Sequence, residues 1–431
     1  SLALAGRKRV GAGKIAILGS AFFGSVSGSA VSNVASTGAI TIPMMKDGGY
    51  KNKTAGAIEA AASTGGQLMP PIMGAAAFLL AENLQASYID VMAAAIIPSL
   101  LYYISLFMFA DLEAGRRQID RVPENQIPKL SHVIKRGWFV FIPFALILVG
   151  LFNFHLRPET AALIAIIAFV LISFFLRYDK SPLDLGIYLR SLIAAGKAAV
   201  EIILICAIAG MIIGLVARSG LSFGLGFFLV QLGKSSLLLL LVVTATVCII
   251  MGMGLPTVGV YLLLASLAAP PLVELGLNPM AAHLFVLYFG MLSMLTPPVA
   301  IAAFVAANLA KADAMRTALE SVRIGWPAYL IPFIFVVTPE LLFEGSLVAI
   351  LLIFCKSLVG VFIITSGIVG FINVNLNLFT RCIFIIIGAM ILMPPSLANE
   401  IVWINIIATA IGGGIIWLNR REFPKQTDRQ S

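Results

Sequence analysis

Residues 346–371 read SLVAILLIFCKSLVGVFIITSGIVGF, a run with a single charged residue, Lys356. A transmembrane α-helix needs about 20 apolar residues, whereas a transmembrane β-strand needs about 10. Further apolar runs lie at 138–154, 159–176, 199–217, 236–272 and 281–310. Inside a bilayer every backbone N–H and C=O must be paired within the protein, and a helix pairs them within one segment. The chain is therefore expected to be an all-α polytopic membrane protein and not a barrel. Composition agrees: 60% of residues are hydrophobic and 11% are charged, where a soluble domain is nearer a half and a quarter.

The net charge of +9 fits basic cytoplasmic loops and gives no reason to expect nucleic acid as a partner. Cys206, Cys248, Cys355 and Cys382 lie in apolar runs without CxxC spacing. They read as small apolar residues, with neither a disulfide framework nor a metal site expected. The chain opens at Ser1 on a basic loop, AGRKRVGAGK from residue 5, so the N-terminal part of the natural protein is expected to be missing.

Charge placement sets a topology. Arg7, Lys8, Arg9 and Lys14 precede the first apolar segment, and Lys46, Lys51 and Lys53 follow it. Basic flanks on both sides put both ends in the cytoplasm, so 15–45 is expected to enter and return as a re-entrant hairpin. A broken helix at 55–82 and a span at 88–110 complete a first repeat over 1–110. Residues 111–198 read as a charged loop, a helical pair and an amphipathic arm at 182–197 lying on the membrane surface. A second repeat over 199–342 has a span at 199–217, a hairpin at 236–272 and a broken helix at 281–310. Further spans are expected at 324–342, 346–371, 382–397 and 401–418. Those beyond 343 form a C-terminal membrane extension with a basic tail. Lys356, near mid-span, is expected to snorkel or pair.

The repeat is visible at an offset of 227 residues. Pro43 meets Pro270, Gly49 meets Gly276, Pro70 and Pro71 meet Pro297 and Pro298, and Ala75 and Ala76 meet Ala302 and Ala303. One copy starts from the cytoplasmic side and the other from outside. An inverted-topology repeat with two re-entrant hairpins and broken helices is the pattern of many secondary transporters, whose sites lie where the breaks meet.

The residue types at the breaks fit that use. Na⁺ takes hard oxygen ligands, and the first break offers Ser25, Ser27, Ser29, Ser32 and Asn33. The facing helix is interrupted at TGGQLMPP, 64–71, where the prolines free carbonyls around Gly66 to Met69. The second break offers Gly252, Gly254 and Thr257, opposite Ser293 and Thr296. Half-helix N-termini after each break suit an anionic group such as a carboxylate. Ser29, Asn33, Thr37, Thr257 and Thr296 are the candidates for substrate contact. Packing is the plainer reading of any one of these residues; their appearance twice, in inverted order, points to a transport site.

The stretches GSVSGSAVSNVASTGAITIPMMKDGGY, GMGLPTVGVYLLLA and YFGMLSMLTPPVAIAAF also resemble the large membrane subunit of tripartite ATP-independent periplasmic (TRAP) transporters. The likeness covers roughly residues 1–340 and is best to the fused 4TM/12TM type, which works with a TAXI-class solute-binding protein. Residues after about 345 resemble that type's C-terminal extension. The small-subunit region and scaffold helices that open the fused type are not in this sequence. The resemblance implies an elevator-type, Na⁺-driven importer of organic acids, delivered by a periplasmic binding protein to a bacterial or archaeal cytoplasmic (inner) membrane. It implies a first Na⁺ site at the tip from Ser25 to Asn33 with Gly66, Met69 and Pro70. The second would use Gly252 or Gly254 with Ser293, Thr296 and Val299. Na⁺ is the coupling ion, and no cofactor is implied.

Other readings find less support. Glu59 and Glu201 read as packing or interfacial residues in preference to proton carriers. His132, His155 and His283 have no metal-ligand spacing, and GMGLPTVG does not follow a strand as a phosphate loop would. No Walker A motif suggests an ATP-driven pump. A membrane enzyme would need a nucleophile with its base, or a metal cluster, and neither is visible. The alternative is a Na⁺/carboxylate symporter of related architecture that works without a binding protein.

Overall fold

The computed structural model describes residues 11–119, 137–176 and 185–394, with Lys135 and Asn405. No β-strand occurs among them; Phe371 and Asn375 form an isolated antiparallel bridge. The first half begins with α1 (Gly11–Ser27) and α2 (Ala30–Asp47), joined at Gly28 and Ser29. Gly28 has φ +63, a left-handed conformation open to glycine without steric cost. Ser29 caps α2, its side chain accepting from the Ser32 amide. Next come α3 (Asn52–Gly65), a 3₁₀ turn at Gly66–Leu68, α4 (Ala75–Asn83) and α5 (Tyr88–Arg117). A capping box of Ser87 and Asp90 starts α5.

The middle of the chain holds α6 (Phe141–Phe152), α7 (Pro158–Phe175), α8 (Leu185–Arg218) and α9 (Leu221–Ser235). The second half continues with α10 (Leu237–Gly252), α11 (Thr257–Leu267), α12 (Ala269–Glu274), α13 (Pro279–Leu292) and α14 (Ile301–Ala310). Then follow α15 (Ala314–Ile324), α16 (Pro327–Phe335), α17 (Leu347–Val369) and α18 (Leu378–Leu392). Among the described residues four helices, in α5, α7, α8 and α17, are long and apolar enough to cross a membrane. This is a multi-pass all-α membrane protein.

The 227-residue offset also relates backbone conformations. Gly49 and Gly276 have φ of +99 and +88, and Met73 and Ala300 have φ of +60 and +35. The Pro70–Pro71 and Pro297–Pro298 bonds are both cis. Backbone bonds span each break, Gly74 N to Gln67 O at 2.8 Å in the first, and Ala302 N to Met294 O and Ala300 N to Thr296 O, both at 3.2 Å, in the second.

At the centre lies α3, buried at every position from Thr54 to Gly65. Its Ala, Gly, Ser and Thr content lets neighbouring backbones come close, as small residues do between membrane helices. A Cβ on Gly56 would sit 3.1 Å from the Ala306 carbonyl oxygen. Helices α1, α2, α14 and α15 pack around it. In contrast, α7 to α9 expose Ile166, Phe175, Leu192, Ile203 and Phe223, apolar side chains suited to lipid.

Several expected boundaries change. The arm at 182–197 and the span at 199–217 are one helix, α8, over their described residues, because no proline interrupts 185–218. Helix α9 was not anticipated. The span expected at 324–342 is instead the short helix α16 and a 3₁₀ turn at Pro339–Leu342, following α15, which ends at Ile324, since Gly325, Pro327 and Pro339 interrupt it. Lys356 pairs, donating from Nζ to the Met393 carbonyl oxygen at 2.7 Å. The span expected at 401–418 and the basic tail fall outside the described residues, Asn405 excepted.

Three arginines close the C-terminal end of α17. Arg116 donates to Val369 O at 2.9 Å, and Arg323 to Ile368 O at 2.7 Å. Arg381 donates to Gly367 O at 2.9 Å and Ile368 O at 3.0 Å. Cations there satisfy carbonyls that have no helical partner and oppose the negative end of the helix dipole.

Candidate transport site at two helix breaks

The first break brings two backbones almost into contact. A Cβ on Gly66 would lie 2.6 Å from Gly24 Cα, and one on Gly24 would lie 2.5 Å from Asn33 Nδ2. Only glycine fits at such an approach. Asn33 is buried and donates from Nδ2 to the Ser20 carbonyl oxygen at 2.8 Å, with Ser63 O at 3.5 Å. Thr37 Oγ1 lies 2.8 Å from Asn33 O and 3.0 Å from Asn33 Oδ1. Asn33, Gly66 and Thr37 thus meet, together with Ser20, Gly24 and Ser63.

The serines of the tip divide. Ser27 Oγ is buried and has no protein partner, which fits a hydroxyl held for a ligand. Ser25 donates to Phe22 O on its own helix at 3.0 Å. Ser29 is occupied as the α2 cap, and Ser32 is exposed. Met69, extended and partly buried, donates its amide to Gly66 O at 3.3 Å, and Pro70 is partly exposed. Carbonyl, hydroxyl and amide oxygens are concentrated at this break, the ligand set that broken helices offer Na⁺.

The second break repeats the close approach differently. A Cβ on Gly252 would lie 2.7 Å from Gly290 O. Ser293 Oγ is 2.9 Å from Gly252 O and 2.7 Å from Gly290 O. Thr296 donates to Leu292 O at 2.6 Å, so at the 2.7 Å contact with Tyr329 the tyrosine hydroxyl is the donor. Gly254, at φ +81, is exposed, with no atom within 4 Å of the position a Cβ would take. Val299 sits partly exposed in the following turn. Thr257 Oγ1 donates to Gln67 Oε1 at 2.8 Å, joining the second break to the first.

Sequence reasoning passed over Gln67, Tyr329, Ser20 and Ser63. Gln67 had a signal, since it lies within the quoted TGGQLMPP. Tyr329 had none, because the turn into α16 carries it back to Thr296. Among the described residues no group of three or more His, Cys, Asp and Glu is placed to hold a metal. His283 Nδ1 instead pairs with the Tyr261 hydroxyl at 2.8 Å.

A multi-pass helical membrane protein with paired breaks of this kind is built for transport. The chain belongs to the family described as "Tripartite ATP-independent periplasmic transporter, DctM component", whose profile matches residues 1–350. It is 24% identical over 339 residues to the C4-dicarboxylate TRAP transporter large permease protein of Pseudomonas aeruginosa, covering 78% of this chain and 77% of that protein. It is 25% identical over 343 residues to the 2,3-diketo-L-gulonate TRAP transporter large permease protein of Escherichia coli, covering 79% and 78%. With the sialic acid TRAP transporter permease protein of Haemophilus influenzae it shares 24% identity over 330 residues, 76% of this chain and 52% of that longer protein. These relatives are permeases, and the chain is a transport protein, not an enzyme.

Proposed function

We propose that the chain is the permease subunit of a Na⁺-coupled secondary transporter that imports carboxylates across the bacterial or archaeal inner membrane. The observation that carries this reading is the pair of glycine approaches, Gly24 on Gly66 and Gly252 on Gly290 and Ser293, each surrounded by oxygen donors. Each is a cation site: the first around Asn33 and Ser27, the second around Ser293 and Thr296. The substrate is held between them near Thr257 and Gln67, where the two breaks touch. C4-dicarboxylate, 2,3-diketo-L-gulonate and sialic acid, named for the relatives, are all anionic, which supports a carboxylate substrate.

The family description names a tripartite, periplasmic system. It supports delivery by a periplasmic solute-binding protein, of TAXI type in this reading, and a small membrane subunit either separate or fused ahead of residue 1. Transport is of the elevator type, with the two breaks and their helices moving as a unit. Na⁺ and substrate then favour each other's binding by the same factor.

The test is uptake into proteoliposomes carrying the chain with a small membrane subunit and a periplasmic solute-binding protein of the same system. Labelled C4-dicarboxylate, diketogulonate and sialic acid serve as probes. Uptake is expected with an inward Na⁺ gradient and with the binding protein present. Equal uptake with K⁺ in place of Na⁺ would overturn the coupling. Undiminished uptake without the binding protein would favour the simpler symporter.

A further inference from the structure

Glu59, in the middle of α3, is fully buried. The ion pairs among the described residues are Lys14–Asp111, Lys53–Glu320, Arg323–Glu320 and those of Glu113 with Arg116 and Arg117, and none includes it. Its neighbours are hydroxyls from three helices. Ser20 Oγ lies 2.6 Å, Thr37 Oγ1 2.5 Å and Ser63 Oγ 3.0 Å from Oε1, and Thr41 Oγ1 lies 2.5 Å from Oε2. The site is tight, since a Cβ on Gly38 would fall 3.1 Å from Glu59 Cγ.

The Thr41 hydroxyl is one proton short when Glu59 is ionised. Thr41 has one hydroxyl proton and faces two acceptors, Glu59 Oε2 and, at 3.0 Å, Thr37 O. With an ionised carboxylate one of those contacts has no hydrogen. With a proton on Oε2 the acid donates to Thr41 and Thr41 donates to Thr37 O, so both contacts are hydrogen bonds. A buried carboxylate without a cation is costly enough that such groups commonly neutralise.

The second repeat shows that packing does not require the acid. At the 227-residue offset Ser20, Thr37, Thr41, Glu59 and Ser63 correspond to Val247, Leu264, Ala268, Val286 and Gly290. There Val260 and Leu264 pack directly over Gly290, and hydrocarbon fills the equivalent place.

We propose that Glu59 is a proton-exchanging site behind the first cation site. The link to the cation rests on the function proposed above. It runs through Asn33, whose amide donates to Ser20 O and Ser63 O and whose Oδ1 meets Thr37. A cation at the tip favours the ionised carboxylate. As the cation enters, the Glu59 O–H bond breaks, its electron pair stays on the carboxylate, and the proton leaves to water. The other titratable groups facing α3 are Tyr102 and Tyr103 of α5, which donate to Ala61 O and Ala62 O. At the helix ends, Lys14, Lys53, Glu320 and Arg323 are engaged in the pairs above, and Lys46 donates to Ala310 O.

The test is infrared difference spectroscopy of the whole chain in lipid nanodiscs, with NaCl as probe and choline chloride as control. A carboxylic-acid C=O band is expected before NaCl addition, lost on adding it and absent from E59Q. The apparent Na⁺ affinity of the unsubstituted chain should rise with pH by up to about tenfold per unit, stay flat in E59Q and keep its slope in E59D. The same slope and band in E59Q would overturn the proposal. If the chain binds no Na⁺, the cation reading fails by itself and the pH titration of the band decides Glu59. A band lost as pH rises sustains the site, and no band at any pH where the chain stays folded overturns it. If E59Q does not fold, S63A must shift the band, and an unmoved band overturns the assignment.

Discussion

The two breaks share a backbone plan and differ in what fills it. The first is polar behind the tip: Asn33, Thr37 and Glu59 knit α1, α2 and α3 together. The second is apolar behind the tip, with Val260 and Leu264 packed on Gly290, and polar only in front, at Ser293 and Thr296. The same topology therefore tolerates either interior. Whatever distinguishes the halves must come from the first half's buried network and from Tyr329, which meets Thr296 at the second break, whereas its counterpart at the 227-residue offset, Tyr102, donates to the Ala61 carbonyl oxygen.

The two breaks differ most in how they respond to a side chain at their glycines. Gly66→Ala puts a methyl against the Gly24 backbone, and overpacking that cannot relax costs about 3 kcal/mol, so uptake should fall about 100-fold. Gly254→Ala meets open space and bears only its positive φ, about 1–2 kcal/mol, so its loss should be smaller. A harsher Gly254 phenotype would mean that the close approach of Gly66 to Gly24 is not what limits uptake. Next, Ser293→Ala removes the hydroxyl between Gly252 O and Gly290 O. An unmet buried polar group costs about 1–3 kcal/mol, and Na⁺ titration of uptake should show roughly a tenfold weaker apparent affinity.

Tyr329→Phe should weaken that affinity about fivefold, the loss of one hydrogen bond near 1 kcal/mol. Thr296→Ala should do no less, and the double variant no more than the stronger single one; additivity would mean that the two residues act separately. An unchanged affinity in Thr296→Ala would remove Thr296 from the site. Smallest of all, Thr257→Val cuts the bridge to Gln67 at about 0.5–1.5 kcal/mol. It should change substrate affinity a few-fold at saturating Na⁺, and a Na⁺ shift without a substrate shift would move Thr257 out of the substrate region.

What could be read beforehand followed from local chemistry. Glycine, proline and serine mark helix breaks by their own backbone preferences, so residues 24–33, 64–71 and 252–257 stood out without any knowledge of packing. Helix α9 did not, because Gly224, Gly226 and Gly233 lower intrinsic helix propensity where apolar context overrides it. The cage around Glu59 was legible only in fragments. Thr37 with Thr41, and Glu59 with Ser63, each share a helix face at i, i+4 spacing. Nothing local says that the two faces meet, or that Ser20 completes them. Glu59 therefore read as a packing residue until three helices were seen to converge on it.

The arginine clamp on α17 bears on how the protein can be cut. The family profile ends at residue 350, just inside α17, so a shortened version stopping there would look like a natural design. It would remove the carbonyls of Ile368 and Val369 that Arg116 and Arg323 hold. Those two guanidinium groups, one from each half of the molecule, would then have to find new acceptors at the same spot. The segment beyond the family match thus serves as a keystone between the halves, and trimming it unbalances the part that remains.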